Sequence, residues 1–144
     1  MKLFLDANIL VDIVDSTRVL SQESALLFEV FINHDDRYKL YTSCDLLTTV
    51  YYLTKKPLGR AKALQQIKIF NHSIKVIEFG NDEIDEAIEL MERNEKYSDL
   101  EDTIQYVMAR KEKCDYIITN DKDFASGDVP VLSSKEALKE LNRE

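Results

Sequence analysis

Side-chain oxygens gather at three places in this chain: Asp6-Ala7-Asn8, Asp99-Leu100-Glu101-Asp102 and Asn120-Asp121-Lys122-Asp123. The first and last each follow a short apolar run of strand character, and the middle one opens a helical stretch. In an open parallel sheet, ligands bind beyond the carboxyl ends of the strands, so Asp6 and Asp121 are expected at one rim. The i, i+3 spacing of Asp99 and Asp102 puts both on one helical face and turns Glu101 away. Taken singly, each acid has a structural use. Asp6 suits a helix N-cap, Asp99 and Asp102 suit the positive end of a helix, and Asp121 and Asp123 are ordinary turn residues. Their common destination is what points to chemistry. Gathered carboxylates repel and raise one another's pKa unless a divalent cation neutralises them. Mg²⁺ or Mn²⁺ suits an all-oxygen donor set. Zn²⁺ does not, because the two histidines, His34 and His72, show no ligand spacing and the cysteines are isolated. Phosphate-loop, dinucleotide and nucleophile-elbow patterns are missing, and a Ser-His-Asp or Cys-His set would have to recruit those same two histidines.

The elements that must position these acids alternate in type. Lys2–Leu5 reads as a buried strand, and the apolar run from Ile9 to Val14 as a helical turn or two. Ser21–Asn33 is too long and too apolar for one strand and reads as a helix. Lys39–Thr42 is a second strand, with Ser43 as the N-cap of a helix to about Lys55. Pro57-Leu58-Gly59 separates that helix from one over Arg60–Phe70. Ile74–Phe79 alternates as a third strand, before an acidic helix with Ile84, Ala87, Ile88 and Met91 on one face. Ser98 with Glu101 forms a capping-box pattern for the next helix, whose apolar face is Ile104, Val107 and Met108. Asp115–Thr119 and Val129–Leu132 are strands, and Ser133 with Glu136 repeats the capping-box pattern for the last helix. Strands alternating with helices predict a mostly parallel sheet covered on both faces.

At 144 residues the chain fits one domain, 1–144, without linker, repeat or low-complexity tract. The N-terminus carries no signal-like apolar run and no stretch is long enough to span a membrane, so the expected location is the cytoplasm. There Cys44 and Cys114 are expected as packed thiols. Nineteen basic against twenty-seven acidic residues give a net charge of −8, which alone argues against binding nucleic acid. The distribution of charge argues the other way. Leu46 to Ile77 holds six basic residues and no acid, whereas Glu78 to Asp102 holds eleven acids. Lys55, Lys56, Arg60 and Lys62 are therefore candidates for contacts to a phosphate backbone, the plain alternative being two solvated helix faces.

Three segments carry a resemblance that spans nearly the whole chain. They are Phe4-Leu5-Asp6-Ala7-Asn8-Ile9-Leu10, Asp99-Leu100-Glu101-Asp102-Thr103-Ile104-Gln105, and Tyr116-Ile117-Ile118-Thr119-Asn120-Asp121-Lys122-Asp123-Phe124. In this order and spacing the sequence resembles the PIN-domain family, and within it the ribonuclease toxins of VapBC-type toxin-antitoxin modules. The resemblance implies a three-layer α/β/α sandwich and Mg²⁺- or Mn²⁺-dependent endoribonuclease activity. It also implies a homodimer and a small antitoxin partner. Asp6, Asp102 and Asp121 fall on the family's first, third and fourth acids, the implied metal set. Asp99 matches an accessory catalytic acid, and Asn8 and Thr119 match supporting polar positions. The family's second acid falls here on Thr49, and Asp45, one turn earlier on the same face, is the candidate replacement. Two rivals remain: a catalytically degenerate PIN-like module that binds RNA or protein, and an α/β protein that accepts a phosphoryl group on Asp6.

Overall fold

The structure is a computed structural model that describes residues 1–141. Five strands, β1 (Lys2–Leu5), β2 (Lys39–Ser43), β3 (Lys75–Ile77), β4 (Tyr116–Ile118) and β5 (Val131–Leu132), form one sheet of order β3-β2-β1-β4-β5. Every neighbouring pair is parallel. Leu3, Phe4 and Leu5 of the central strand are fully buried, as a strand covered on both faces requires. The first crossover carries α1 (Ala7–Val14) and α2 (Ser21–Asn33). These pack with α3 (Leu46–Leu58), α4 (Arg60–Ser73) and α7 (Ser134–Leu141) in one layer. From β3 the chain returns past β1 to β4 through α5 (Asn81–Arg93) and α6 (Leu100–Lys111). Because this crossover runs the other way across the sheet, a right-handed connection places it on the opposite face, where α6 lies against β2 and β4. The expected three-layer α/β/α sandwich results.

Strand order reverses between β1 and β4, which opens a crevice beyond their carboxyl ends. Asp6 and Thr119 are the first residues past those two strands.

Local departures from the sequence reading have simple causes. Ser43 stays in β2 and donates its hydroxyl to Asp45 Oδ1 at 2.5 Å, so α3 is capped at Asp45 and starts at Leu46. That helix runs through Pro57 to Leu58, since proline in a last turn forfeits only its own N–H. Gly59, at φ 86°, then stops it and donates its N–H to the Lys55 carbonyl at 2.9 Å. The edge strands β3 and β5 are shorter than their apolar runs, each having a single neighbour. Ile88 is partly exposed rather than on the buried face of α5, and Cys44 is exposed rather than packed. Cys114 is buried, which pushes its thiol up to about 12.

The β4–β5 loop is pinned at Gly127. A Cβ there would come within 2.6 Å of the Tyr106 hydroxyl, which donates to Asp128 Oδ1 at 2.5 Å. Only glycine lets the loop close onto α6 at this point.

Candidate active site at the strand switch point

Asp6 sits at the switch point with 4% of its surface exposed. It caps α1, Oδ1 accepting from the Ala7 N–H at 2.6 Å. Its Oδ2 accepts from Asn8 Nδ2 at 2.8 Å and from the Thr119 hydroxyl at 2.7 Å. The Thr119 oxygen accepts in turn from Asn8 Nδ2 at 3.0 Å and from the Asp121 N–H at 3.1 Å. Asn8 Oδ1 closes the ring by accepting the Asn120 N–H at 3.0 Å. A single network therefore locks the ends of β1 and β4 and fixes the orientation of the Asp6 carboxylate. Burial raises the Asp6 pKa, opposed by hydrogen bonding from Thr119, by the adjacent Gln105 amide and by the Ala7 N–H, and the nearby charge of Asp121 raises it further. Such a group is costly to leave ionised without a compensating cation.

The first turn of α6 brings the other acids. Asp99 is its N-cap, Oδ1 accepting from the Asp102 N–H at 2.9 Å. Part of Asp99 is thus spent on the helix itself, and the Ser98–Glu101 capping box expected from sequence does not form. Burial, then the charges of Asp6, Asp99, Asp121 and Glu101, push Asp102 up to about 7. Glu101 lies between Asp99 and Asp102 in sequence but does not line the narrow crevice those two share. Its side chain is exposed, as the helical spacing implies, while partial desolvation and the charges of Asp45, Asp6 and Asp99 raise its pKa. Asp121 uses Oδ1 to accept the Asp123 N–H at 2.9 Å, the turn role open to it from sequence, and its charge bears on both Asp6 and Asp102.

Two further residues were not singled out by sequence reasoning. Asn120 ties the end of β4 to three helices: Nδ2 donates to Asp12 Oδ2 at 2.7 Å and Ser24 Oγ at 3.2 Å, and Oδ1 accepts the Ser134 N–H at 2.9 Å. The polar strand-end run Thr119-Asn120-Asp121 was its only signal. Gln105, 1% exposed, lies beside Asp6, yet neither of its amide atoms makes a hydrogen bond of ordinary geometry. An amide left so costs about 1–3 kcal/mol and calls for an explanation.

The acids share one electrostatic neighbourhood without sharing one open cavity. A cleft of about 680 Å³ is lined by Thr119, Asn120 and Asp121 together with Val19, Leu20 and Phe124. Asp99, Asp102 and Asp123 line a separate narrow crevice, and Asp6 lines neither. Among the described residues, no three His, Cys, Asp or Glu side chains form a ready-made metal cage. The donor set nevertheless fits a hard cation that keeps several waters and takes only one or two carboxylates directly. All its donors are oxygens, its central acid is buried, and the described ion pairs of the chain lie elsewhere.

Asp45 holds the N-cap position of α3 without a side-chain cap bond, its Oδ1 accepting from Ser43 instead, and its charge acts on Glu101. Thr49 is turned back, its hydroxyl donating to the Asp45 carbonyl at 3.2 Å. Lys55 and Lys56 lie in the last turn of α3 and Arg60 and Lys62 in the first turn of α4. At 1.5 Å per residue, Lys55 is about 15 Å along the helix from Asp45.

A doubly wound sheet with a buried aspartate at its switch point and further carboxylates around it defines an α/β protein of the acidic-site class. Within that class the chain belongs to the PIN domain family, whose profile matches residues 3–129. It is 43% identical over 141 residues to Ribonuclease VapC1 of Aquifex aeolicus, covering 98% of this chain and 96% of that one. The fold is similar to that of Mycobacterium tuberculosis VapC20, a toxin that cleaves the sarcin-ricin loop. The TM-score is 0.71 at 18% identity, over 85% of this chain and 92% of the other. It is also similar to a chain of VapBC2 from Rickettsia felis, solved bound to a DNA fragment from its promoter. Here the TM-score is 0.70 at 17% identity, over 92% and 98% of the two chains. No helix among the described residues is long and apolar enough to cross a membrane.

Proposed function

We infer that this protein is a divalent-metal-dependent endoribonuclease, the toxin component of a toxin-antitoxin pair acting in the cytoplasm. The observation that carries the reading is the buried Asp6, held by Asn8 and Thr119 at the switch point and subject to the charge of Asp121. The identity to a ribonuclease over nearly the full chain supports the substrate class. Asp6, Asp102 and Asp121 would hold Mg²⁺ or Mn²⁺, with Asp99 as the accessory acid. When bound, the cation supplies an activated water and neutralises charge developing on the phosphate and on the leaving 3′ oxygen. Asn8 and Thr119 keep Asp6 from rotating away from it, and Asp102 gives up the proton it retains near neutrality. No side-chain nucleophile and no histidine base is required.

Lys55, Lys56, Arg60 and Lys62 would meet the RNA backbone away from the cut, adding affinity without sequence choice. A cognate antitoxin and a second copy of the chain are the expected protein partners. Partly exposed Tyr52, Leu53 and Leu64 on α3 and α4 offer apolar surface for such contacts. The test is Asp6→Asn. Removing a cation-binding carboxylate forfeits several kcal/mol of transition-state stabilisation, so cleavage of single-stranded RNA should fall roughly a thousandfold, with far-UV circular dichroism unchanged. Full activity in that variant, purified free of contaminating nuclease, refutes the assignment. Failure of the unmodified protein to bind Mn²⁺ would favour the degenerate binding module.

A further inference from the structure

The cleft of about 680 Å³ falls inside the range of about 300–1,000 Å³ that ligand pockets occupy. Thr119 and Asp121 line it, so whatever fills it lies next to the acids. The rest of its wall is of mixed character. Val19 and Phe124 give it apolar surface, and Lys122 and Lys135 add two exposed cations. Among the described residues neither ammonium group enters an ion pair, although the chain carries a net charge of −8. Glu136 on the same wall is committed elsewhere, its Oε1 accepting the Ser133 N–H at 3.2 Å.

The apolar side of the cleft comes from the loop that joins α1 to α2. Val19 stands there 95% exposed. An exposed valine alone means little. This one belongs to a braced loop. Arg18 Nε donates to Asp12 Oδ1 at 2.5 Å, and the other oxygen of Asp12 accepts from Asn120 Nδ2 at 2.7 Å. Asp12 is 4% exposed, so a buried carboxylate ties the loop to the residue that follows Thr119. Thr17 donates its N–H and its hydroxyl to Asp15 Oδ1, and the Ser21 N–H donates to the Arg18 carbonyl at 3.2 Å. A wall held in this way is formed before a ligand arrives, which lowers the ordering cost of binding.

We propose that this cleft is a nucleotide subsite, taking one unpaired nucleotide of the RNA beside the cut bond, with its base against Val19 and Phe124 and a phosphate on Lys122 and Lys135. Single-stranded RNA is recognised by such means, with bases splayed onto apolar or aromatic surface and backbone charge met by cations. A strand that presents a phosphodiester to the acids has to pass this wall. The inference rests on the ribonuclease reading and deepens it, because base identity is felt here, whereas Lys55, Lys56, Arg60 and Lys62 meet only backbone.

The experiment compares the full chain with Val19→Asp and with the double variant Lys122→Ala, Lys135→Ala. Binding of short, labelled adenylate, cytidylate and uridylate oligomers is read by fluorescence anisotropy in EDTA, where nothing is cut. Cut sites in one mixed-sequence RNA are then mapped with Mn²⁺. The unmodified chain should prefer one base by about tenfold, and Val19→Asp should erase most of that preference. The double lysine variant should weaken all three oligomers by about tenfold. Both variants should redistribute the cut sites, with Mn²⁺ affinity by calorimetry unchanged because no cation ligand is touched. If the unmodified chain shows no base preference, or if both variants bind and cut as it does, the subsite is refuted and the nuclease reading stands. If Mn²⁺ supports no cleavage but the preference is present and lost in Val19→Asp, the nuclease reading falls and the subsite stands.

Discussion

Two helices of this protein begin with the same four-residue pattern and use it differently. At α7, Ser133 Oγ accepts the Glu136 N–H at 3.1 Å and Glu136 Oε1 accepts the Ser133 N–H at 3.2 Å, a complete capping box. At α6 the corresponding Ser98 and Glu101 do not pair, because Asp99 takes the cap one residue later. The glutamate that α7 spends on its own N-terminus is left over at α6, in an acidic neighbourhood. A local motif thus predicts a helix start well in both places, but the fate of its glutamate depends on which neighbour competes for the same N–H groups.

Substitutions at the two helix starts put that contrast at risk. The largest difference is expected in RNA cleavage: Asp102→Asn at the start of α6 should reduce it about a hundredfold or more, whereas Glu136→Gln at the start of α7 should leave it within about twofold, both measured at saturating RNA and limiting Mn²⁺. Equal loss in the two variants would mean that Asp102 acts only through its helix. Next comes pH. In metal-free protein the folded chain keeps protons on Asp102, Asp6 and Glu101 that the unfolded chain has released, since all three pKa values are raised. The folded state therefore binds more protons between about pH 4 and 7, and stability falls as pH rises through that window. Asp102→Asn should flatten this slope and stabilise the chelated protein at pH 8 by about 1–2 kcal/mol in urea unfolding, the solvent-screened share of the shift. An unchanged slope would place the strain on another acid.

Smaller effects test the caps. Asp99→Ala should cost about 1 kcal/mol and also weaken Mn²⁺ binding, since it removes both the cap of α6 and the accessory acid beside Asp102. Asp99→Asn keeps the capping oxygen and should keep most of the stability. Ser133→Ala at α7 should lose about 1 kcal/mol and leave metal affinity untouched, which calorimetry would verify. The smallest effect belongs to the basic block. Replacing Lys55, Lys56, Arg60 and Lys62 with Ala should lower the salt dependence of RNA binding by about 0.7 per lost phosphate contact. An identical salt slope would return these residues to plain solvated helix faces.

How much of the molecule is legible in its sequence differs by level. β1 and α2 have the boundaries read from their apolar runs, because a fully buried strand and a long buried helix leave strong periodic signals. The start of α3 lies later than its capping signal suggests, since Ser43 is a good cap in isolation but is held in β2 by pairing with β3. Asp6, Asn8 and Thr119 can be named from strand-end position alone, and the network that joins them is present. Asp99 and Asp102 line one crevice without Glu101, as their i, i+3 spacing implies. Gln105 and Asn120 give almost no signal, being single polar residues whose meaning comes from distant elements.

Residue order is enough to say which segments are strands and helices, and that acids stand at the carboxyl ends of β1 and β4. Those are consequences of period, capping chemistry and strand-end position, all readable within a few residues. Packing in three dimensions was needed to establish that the sheet order reverses between β1 and β4, that Asp99 outcompetes Glu101 for the cap of α6, and that a buried glutamine lies beside Asp6. The first and last depend on contacts between segments roughly a hundred residues apart, where burial and competing charges set the outcome, and the second on a contest between neighbouring caps that the local pattern alone does not decide.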